Sequence, residues 1–327
     1  MPRIDDAFAD CSIYLYASER AARLGEDAGG SGFLIHVPSS VDPNWGRVYA
    51  VTNRHVIEEK FCTLRLNRKG GGTDVVETER GKWFIHEDGD DVGIFPIDIG
   101  DHFKRWSVGT DKFLDKESLG IYKIGYGDDV FMVGRLISHS GILKNTPVVR
   151  FGTISLMADE SEPIKYGGRS QEAFLVECRS ISGFSGSPVF LMSDRVYRAQ
   201  DAENVTDLRK RKAGFARREG SIMTTANFKV TMIDGTVGPL LLGIDFGHLP
   251  HWDEVHQGKR KTDYRSLSNS GIAGVVPSWK IMDLLDTPAL VEERRKGDEE
   301  LKEKLERDAG SIALNSQQDA GSPELNQ

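Results

Sequence analysis

The sequence predicts an all-β fold that contains two antiparallel barrels. Short runs of β-forming residues recur along the chain, with turn residues between them and no alternating helices. These runs form two groups, which a loop-rich stretch over 100–118 separates. Glycine accounts for 35 of the 327 residues, which suits a fold with many turns better than a helical bundle.

The first group of strands lies in the N-terminal third of the chain. We predict its strands at 12–16, 32–37, 47–52, 61–66 and 91–97. Pro96 either ends the last of these strands or places it at a sheet edge, because proline cannot donate to a ladder. We predict the strands of the second group at 129–133, 148–151, 174–177 and 240–244. The chain is therefore divided into an N-terminal barrel over 1–112 and a C-terminal barrel over 113–286.

Three segments lie outside this strand pattern. A long basic insertion over 192–238 interrupts the second barrel. A solvated surface loop is its simplest interpretation, and a substrate-contacting loop, a processing site and a partner dock are alternatives. We predict a short helix over 277–285 with Ser278 as its cap. A charged helix and a disordered tail, beginning near 311, are expected within 287–327.

Composition narrows the class of protein. The net charge of −8 argues against a protein whose main ligand is nucleic acid held by bulk positive charge. Cys11, Cys62 and Cys178 are too few and odd in number for a disulfide scaffold, which favours reduced thiols. The first residues lack the apolar core of a secretion signal, and no apolar run is long enough to span a membrane. We therefore expect a cytoplasmic protein with no membrane partner.

Three local patterns carry candidate chemistry. They are Thr-Asn-Arg-His-Val at 52–56, Asp-Asp-Val-Gly-Ile at 90–94 and Gly-Phe-Ser-Gly-Ser-Pro at 183–188. Each pattern alone has an ordinary explanation: a histidine at a strand end, a solvated acidic turn, or a Gly-Ser turn. All three together, in the order His, Asp, Ser, indicate a nucleophilic site.

The residue types match the needs of acyl transfer. A serine hydroxyl is a poor nucleophile at neutral pH and needs a base such as a neutral imidazole within hydrogen-bond reach. A buried carboxylate orients that imidazole and stabilises it when it becomes charged. Glycines beside the serine let neighbouring N–H groups converge on the developing oxyanion, and Gly183 and Ser185 are the candidate donors.

The three patterns resemble the trypsin/chymotrypsin-fold serine peptidases, and within them the HtrA-like and other intracellular trypsin-like peptidases of bacteria. Similar segments also lie at 127–134, 152–155 and 243–247, so that the resemblance covers roughly 10–285. No PDZ-like domain follows. The resemblance implies a chymotrypsin-like fold of two six-stranded antiparallel barrels with a short C-terminal helix.

The resemblance also implies a role for each catalytic residue. His55 is the general base, Asp91 its orienting carboxylate and Ser185 the nucleophile. Asp90 is the rival carboxylate, and we choose Asp91 because the aliphatic Val92 follows it. Phe184 stands where digestive relatives carry an aspartate that pairs with a freed N-terminus, so activation by N-terminal cleavage is not expected.

Substrate contacts follow from the same resemblance. It implies that a peptide binds along a strand containing Asp245, Phe246 and Gly247. His248 lies just past this strand and is a further candidate contact for the substrate. Arg179 corresponds to the base of the primary pocket. If its guanidinium faces the pocket, an acidic side chain before the scissile bond is favoured. An Arg179 side chain that points to solvent is an equal alternative.

Other classes of site fit the sequence less well. An α/β-hydrolase needs Gly-x-Ser-x-Gly and the order Ser, Asp, His, and the sequence departs from both. His251 and His256 lie near acidic residues but form no His-Glu-x-x-His motif, so we expect no metal and no cofactor. The sequence predicts a serine endopeptidase that acts on a protein or peptide, with a dedicated effector or regulator as a candidate partner. The alternative is a protease-like scaffold that binds a partner protein without turnover.

Overall fold

The computed structural model describes residues 3–86, 89–104, 106–139, 141–178, 180–181, 183–192, 239–257 and 260–319. The strands are β1 (Ser12–Tyr16), β2 (Ala28–Pro38), β3 (Gly46–Thr52), β4 (Thr63–Asn67), β5 (Thr73–Glu77), β6 (Phe84–Ile85), β7 (Gly93–Ile97), β8 (Val108–Gly109), β9 (Asp129–Gly134), β10 (Val148–Leu156), β11 (Ile164–Tyr166), β12 (Arg169–Gln171), β13 (Phe174–Glu177), β14 (Pro188–Leu191), β15 (Leu240–Gln257) and β16 (Arg260–Pro277). The helices are α1 (Ala7–Asp10), α2 (Glu19–Leu24), α3 (Arg54–Glu58), α4 (Lys116–Ile121), α5 (Ser278–Leu285) and α6 (Pro288–Asp319).

The first eight strands form one sheet. Its order is β5-β4-β1-β2-β3-β7-β6, and β8 pairs with β2 in parallel. This differs from the predicted closed barrel of six strands, because no ladder in the described part of the chain joins the outer strands β5 and β6. The outer strand β6 contains only two residues, which leaves too short an edge for a closing ladder.

The second half forms a closed barrel of six strands, as predicted. Its order is β10-β13-β16-β15-β14-β9, and every neighbouring pair for which a register is known is antiparallel. All four residues of β14 are buried, so this strand is an inner wall of the barrel directly after the Gly-Ser segment. The predicted β-rich class, with a short C-terminal helix, is confirmed.

A shared hydrophobic core joins the two sheets. It contains Phe33 and Tyr49 from the first sheet and Phe131 and Phe190 from the second. Phe8 of α1 packs against both phenylalanines of the second sheet, with ring centroids 5.4 and 4.9 Å away. The core brings the two halves together along one boundary.

The C-terminal helices differ from the sequence expectation in two details. Pro277, not Ser278, occupies the N-cap of α5, and Ser278 Oγ donates instead to the carbonyl oxygen of Leu114 at 2.7 Å. Helix α6 continues through Asp319, past the predicted start of the tail at 311, and ion pairs such as Arg295 with Glu292 support its exposed face.

Helix α6 packs back on the first sheet, where Asp298 accepts hydrogen bonds from Ser39 and Ser40. Most of the predicted insertion, 193–238, and the end of the tail, 320–327, lie outside the described residues. Among the helices that the structure describes, none has the length and apolar character needed to cross a bilayer.

Candidate active site

His55 lies where β3 gives way to helix α3. Asn53 is the N-cap residue, with extended backbone angles of φ −75° and ψ 148°, so the chain turns sharply before the histidine. The Asn53 amide does not cap the helix but donates to the carbonyl oxygen of Asp91 at 2.7 Å. The turn therefore fixes the loop that carries Asp91 as well as the first turn of α3.

Asp91 holds the His55 ring and backbone together. Its Oδ2 lies 2.6 Å from His55 Nδ1, and its Oδ1 accepts the His55 backbone N–H at 2.9 Å. The Asp91 side chain is 4% exposed and that of His55 is 26% exposed. Because Nδ1 faces the carboxylate, Nε2 is the nitrogen left for other partners.

The Asp91 carboxylate also determines how His55 titrates. Burial lowers the pKa of the imidazole, but the hydrogen bond and the negative charge of Asp91 outweigh it, so the pKa of His55 is raised. Glu59 raises this pKa further and Arg169 opposes it. The ring is thus a base whose charged form is stabilised in place.

The rival carboxylate, Asp90, points away from His55. Its Oδ2 lies 3.2 Å from Lys280 Nζ on α5 and 3.1 Å from His86 Nδ1. Adjacent residues thus have different partners, and only Asp91 contacts the imidazole of His55.

The β11–β12 hairpin holds the His55–Asp91 pair in place. Gln171 at the end of β12 is buried, and its Oε1 accepts the backbone N–H of Asp91 at 2.7 Å. Arg169 on the same strand forms an ion pair with Glu58 of α3. The sequence analysis missed both residues, because neither belongs to a motif and their partners lie 80 and 111 positions away.

The serine loop is a tight turn that leads into β14. Phe184 N–H donates to Ile181 O at 3.1 Å, and Ser187 N–H donates to Phe184 O at 2.8 Å. Gly183 and Gly186 have φ angles of +94° and +91°, which side chains with a Cβ rarely adopt. Ser185 therefore stands at the tip of a turn that only glycine accommodates on both sides.

The loop is tied directly to the sheet that carries His55. Ser31 N–H donates to the carbonyl oxygen of Ser185 at 2.8 Å, and Thr52 Oγ1 donates to Ser31 O at 2.8 Å. Thr52 is the last residue of β3, three positions before His55. The loop and the strand that leads to the histidine are thus linked through Ser31 and Thr52, although no hydrogen bond of the described residues joins Ser185 Oγ to the His55 ring.

Two backbone N–H groups of the serine loop were predicted to form an oxyanion hole. Across the described part of the chain, neither Gly183 N–H nor Ser185 N–H has an acceptor. The other side of the Gly183 peptide is fixed, because its carbonyl oxygen accepts Ser31 Oγ at 2.8 Å. These two N–H groups, on either side of Phe184, stay the candidates for an oxyanion hole.

Asp245 is a second buried carboxyl group beside the pair. It is fully buried on β15, where it accepts Ser180 Oγ at 2.8 Å and Gly247 N–H at 3.3 Å. Burial raises the pKa of Asp245 to about 7, with a further contribution from the charge of Asp91. Asp245 also secures the serine loop, since its carbonyl oxygen accepts Gly186 N–H at 2.9 Å.

The remaining residues that we predicted to contact the substrate differ in burial and in backbone conformation. The Phe246 ring is buried against Tyr166, 5.2 Å between centroids, so only its backbone can face a peptide. Gly247 has a φ of +134° at an irregularity in the β15–β16 ladder, and His248 is half-buried. Arg179 lies outside the described residues. No group of three metal-ligating side chains occurs among the residues that the structure describes.

Comparisons with known proteins give distant structural likenesses. No family model and no curated protein matches the chain. The structure is similar to the MamO protease domain from Magnetospirillum magneticum in its apo form, at 13% identity over 86% of this chain and 98% of that one, with a TM-score of 0.42. It is also similar to the active form of the Rv3671c protease from M. tuberculosis, at 12% identity over 85% of this chain and 81% of that one, with a TM-score of 0.44. Likenesses at these scores carry no conclusion about activity, which depends on the side chains described above.

Proposed function

We propose that the chain is a serine endopeptidase that cleaves a protein substrate through His55, Asp91 and Ser185. The observation that carries this proposal is the doubly bonded His55–Asp91 pair, linked through Thr52 and Ser31 to the loop of Ser185. In this proposal the region over 1–112 supplies the base and its carboxylate. The region over 113–286 supplies the nucleophile.

The proposed reaction proceeds through an acyl-enzyme. Ser185 Oγ attacks the scissile carbonyl carbon while His55 Nε2 takes its proton, and Asp91 stabilises the imidazolium that results. The carbonyl oxygen becomes an oxyanion that accepts the N–H groups of Gly183 and Ser185. His55 then protonates the leaving amine, and the C–N bond breaks. A water molecule, deprotonated by His55, hydrolyses the ester and restores Ser185.

The edge of β15 is the proposed platform for the substrate backbone. Beyond the pairing of Pro188 with Ile244, β15 has β16 as its only ladder partner in the described chain. A peptide can add to such an edge as an antiparallel strand alongside 246–248. The backbone of Asp245 is already bonded to the serine loop, because its N–H donates to Ser187 O and its carbonyl oxygen accepts Gly186 N–H. These bonds hold the start of the edge next to the serine loop, so a substrate bound there would lie near Ser185.

A scaffold that binds a partner without turnover is the second candidate. It is favoured by the missing hydrogen bond between Ser185 Oγ and the His55 ring, which an active triad makes when substrate is bound. The two candidates differ in what the serine hydroxyl does, so a substitution at that atom separates them.

Cleavage of an unstructured protein such as casein tests the proposal. The wild-type protein is expected to release peptides, and Ser185→Ala is expected to lose this activity. Ser187→Ala is the matched control, because Ser187 Oγ is buried without a hydrogen-bond partner and its removal costs little. Equal peptide release by wild type and Ser185→Ala would contradict the proposal. Absence of cleavage together with unchanged partner capture by Ser185→Ala would favour the scaffold.

A further inference from the structure

A cluster of two arginines and two tyrosines is buried behind the serine loop. Tyr14 and Tyr16 lie on β1, Arg65 lies on β4, and Arg135 follows β9. The first three residues are 0% exposed and Arg135 is 6% exposed. None of the four takes part in the proposed reaction, so the cluster needs an explanation of its own.

The four side chains share one side of the first sheet. Tyr14 is directly opposite Arg65 in the β1–β4 ladder, and Tyr16 lies two residues further along β1 on the same face. The Arg65 guanidinium lies over the Tyr16 ring, 5.2 Å from its centroid. Arg135 reaches the same place from the second sheet and donates to Ala28 O, opposite Tyr16, at 2.6 Å.

The cluster is positively charged and contains no carboxylate. Arg65 donates to three neutral acceptors, the oxygens of Asn145, Ala22 and Gly141, at 2.7, 3.2 and 2.7 Å. Neither arginine forms an ion pair with any described residue. Burial lowers the pKa of both guanidinium groups, and Arg65 lowers that of Arg135 further. Two guanidinium groups buried without a counter-charge are costly unless an anion joins them.

Several donors in the cluster also lack an acceptor. Tyr14 Oη, Tyr16 Oη and Arg135 Nε are buried and donate to no acceptor among the described residues. The backbone of Thr146 lies within hydrogen-bond reach of Tyr14 Oη as a donor, which lowers the pKa of that tyrosine and leaves its own proton unshared. Burial raises the pKa of both tyrosines, so their hydroxyl groups stay protonated and can donate. Three unsatisfied donors beside two positive charges define the ligand by its chemistry: a small anion with several acceptor oxygens.

We propose that Tyr14, Tyr16, Arg65 and Arg135 form a binding site for a small inorganic oxyanion such as phosphate or sulfate. Arg135 is the only member with exposed area, so it faces the entrance. Full burial of the other three excludes an acidic side chain of a peptide as the occupant. The site also contacts the serine loop, because Arg135 Nη1 lies 3.2 Å from the Cβ position of Gly183, and Arg135 N–H donates to Ser31 Oγ at 3.0 Å.

Thermal unfolding of the full chain at constant ionic strength tests this site. Sodium sulfate or phosphate replaces sodium gluconate, whose anion is too large for the buried cluster. The melting temperature of the wild type is expected to rise with the logarithm of the anion concentration once this exceeds Kd, by about 4 °C at 100 times Kd. Arg135→Gln is expected to lose this rise. Arg294→Gln is expected to keep the rise in melting temperature. Like Arg135, Arg294 donates to a backbone carbonyl, that of Leu285, but it contacts neither Tyr14 nor Tyr16.

Tyr16→Phe is a second test, and it does not require the protein to tolerate the loss of a buried positive charge. Without the oxyanion, removal of an unpartnered hydroxyl is expected to leave the melting temperature unchanged or raise it. With saturating sulfate, the same substitution is expected to lower it. The site is therefore supported if Tyr16→Phe leaves the melting temperature unchanged or raises it in gluconate but lowers it in sulfate. A loss that is equal in gluconate and sulfate would indicate a buried water and overturn the proposal. A rise of equal size in the wild type and Arg135→Gln, or an equal rise with chloride, would overturn it as well.

Discussion

Gly186 lies so close to the carbonyl oxygen of Ser31 that a Cβ at position 186 would overlap it. The same Cβ would lie 2.7 Å from Thr52 Oγ1. This approach lets the serine loop contact β3, the strand that leads to His55. The contact between the two halves of the site therefore depends on glycine at position 186, which has no Cβ, as much as on the side chains around it.

Gly186→Ala is expected to destabilise the protein by about 3 kcal/mol or more, because it adds a steric overlap to the strain of a positive φ. Gly71→Ala is the matched control. Gly71 has a nearly identical φ of +92° and open space around its Cβ position, so only the strain, about 1–2 kcal/mol, applies. Urea denaturation measures both changes. Equal losses would show that the approach to Ser31 is not tight.

Asp91→Asn is expected to lower the cleavage rate by on the order of 10⁴-fold, because the amide no longer fixes the imidazole tautomer or stabilises its charge. The pKa of His55 should then fall below its ordinary value, since burial acts without an opposing carboxylate. An NMR titration of the His55 ring measures this shift. Asp90→Asn is the control, because Asp90 pairs with Lys280 and His86. A larger effect of Asp90→Asn on the His55 pKa would reverse the assignment.

Ionisation of Asp245 should make the free energy of unfolding fall as the pH rises. Its pKa is raised from 3.8 to about 7, so the folded state binds more protons than the unfolded state between these values. The contribution is fully present below pH 4 and is lost progressively up to about pH 7, on the order of 4 kcal/mol in total.

Asp245→Asn keeps acceptors for Ser180 and Gly247 but cannot ionise, so its stability relative to the wild type should increase between pH 4 and pH 7. Denaturant unfolding at several pH values measures this difference. A constant difference over that range would mean that Asp245 does not change its protonation state.

Gln171→Ala is expected to cost about 1–3 kcal/mol, because it leaves the buried N–H of Asp91 without an acceptor. The cleavage rate should fall as well, since Asp91 positions His55. Ser170→Ala, one residue earlier on β12, is the control and should change neither quantity. If Gln171→Ala matched the control in both, the hairpin would have no part in holding Asp91.

The sequence predicts local elements well and long-range contacts poorly. Strand β1 has the predicted bounds, Ser12–Tyr16, because alternation of β-forming residues is a local signal. The predicted strand at 240–244 instead continues to Gln257, since its outer part depends on pairing with β16. Ser278 resembles a helix cap locally but donates to Leu114, 164 positions away.

The same limit applies to the candidate site. The order of His55, Asp91 and Ser185 is visible in the sequence because each residue lies in a recognisable segment. Gln171 has no such segment, and its role arises only when β12 lies against the Asp91 loop. A partner chosen by tertiary packing leaves no periodic or spacing signal along the chain.

The most direct test of the central claim is the reaction of the protein with a fluorophosphonate probe, followed by mass spectrometry of the digested protein. The account predicts one added phosphonyl group on the peptide that contains Ser185, and its loss in His55→Ala while Ser187→Ala is still labelled. Labelling that persists in His55→Ala at the wild-type rate, or that occurs at another serine, would contradict it.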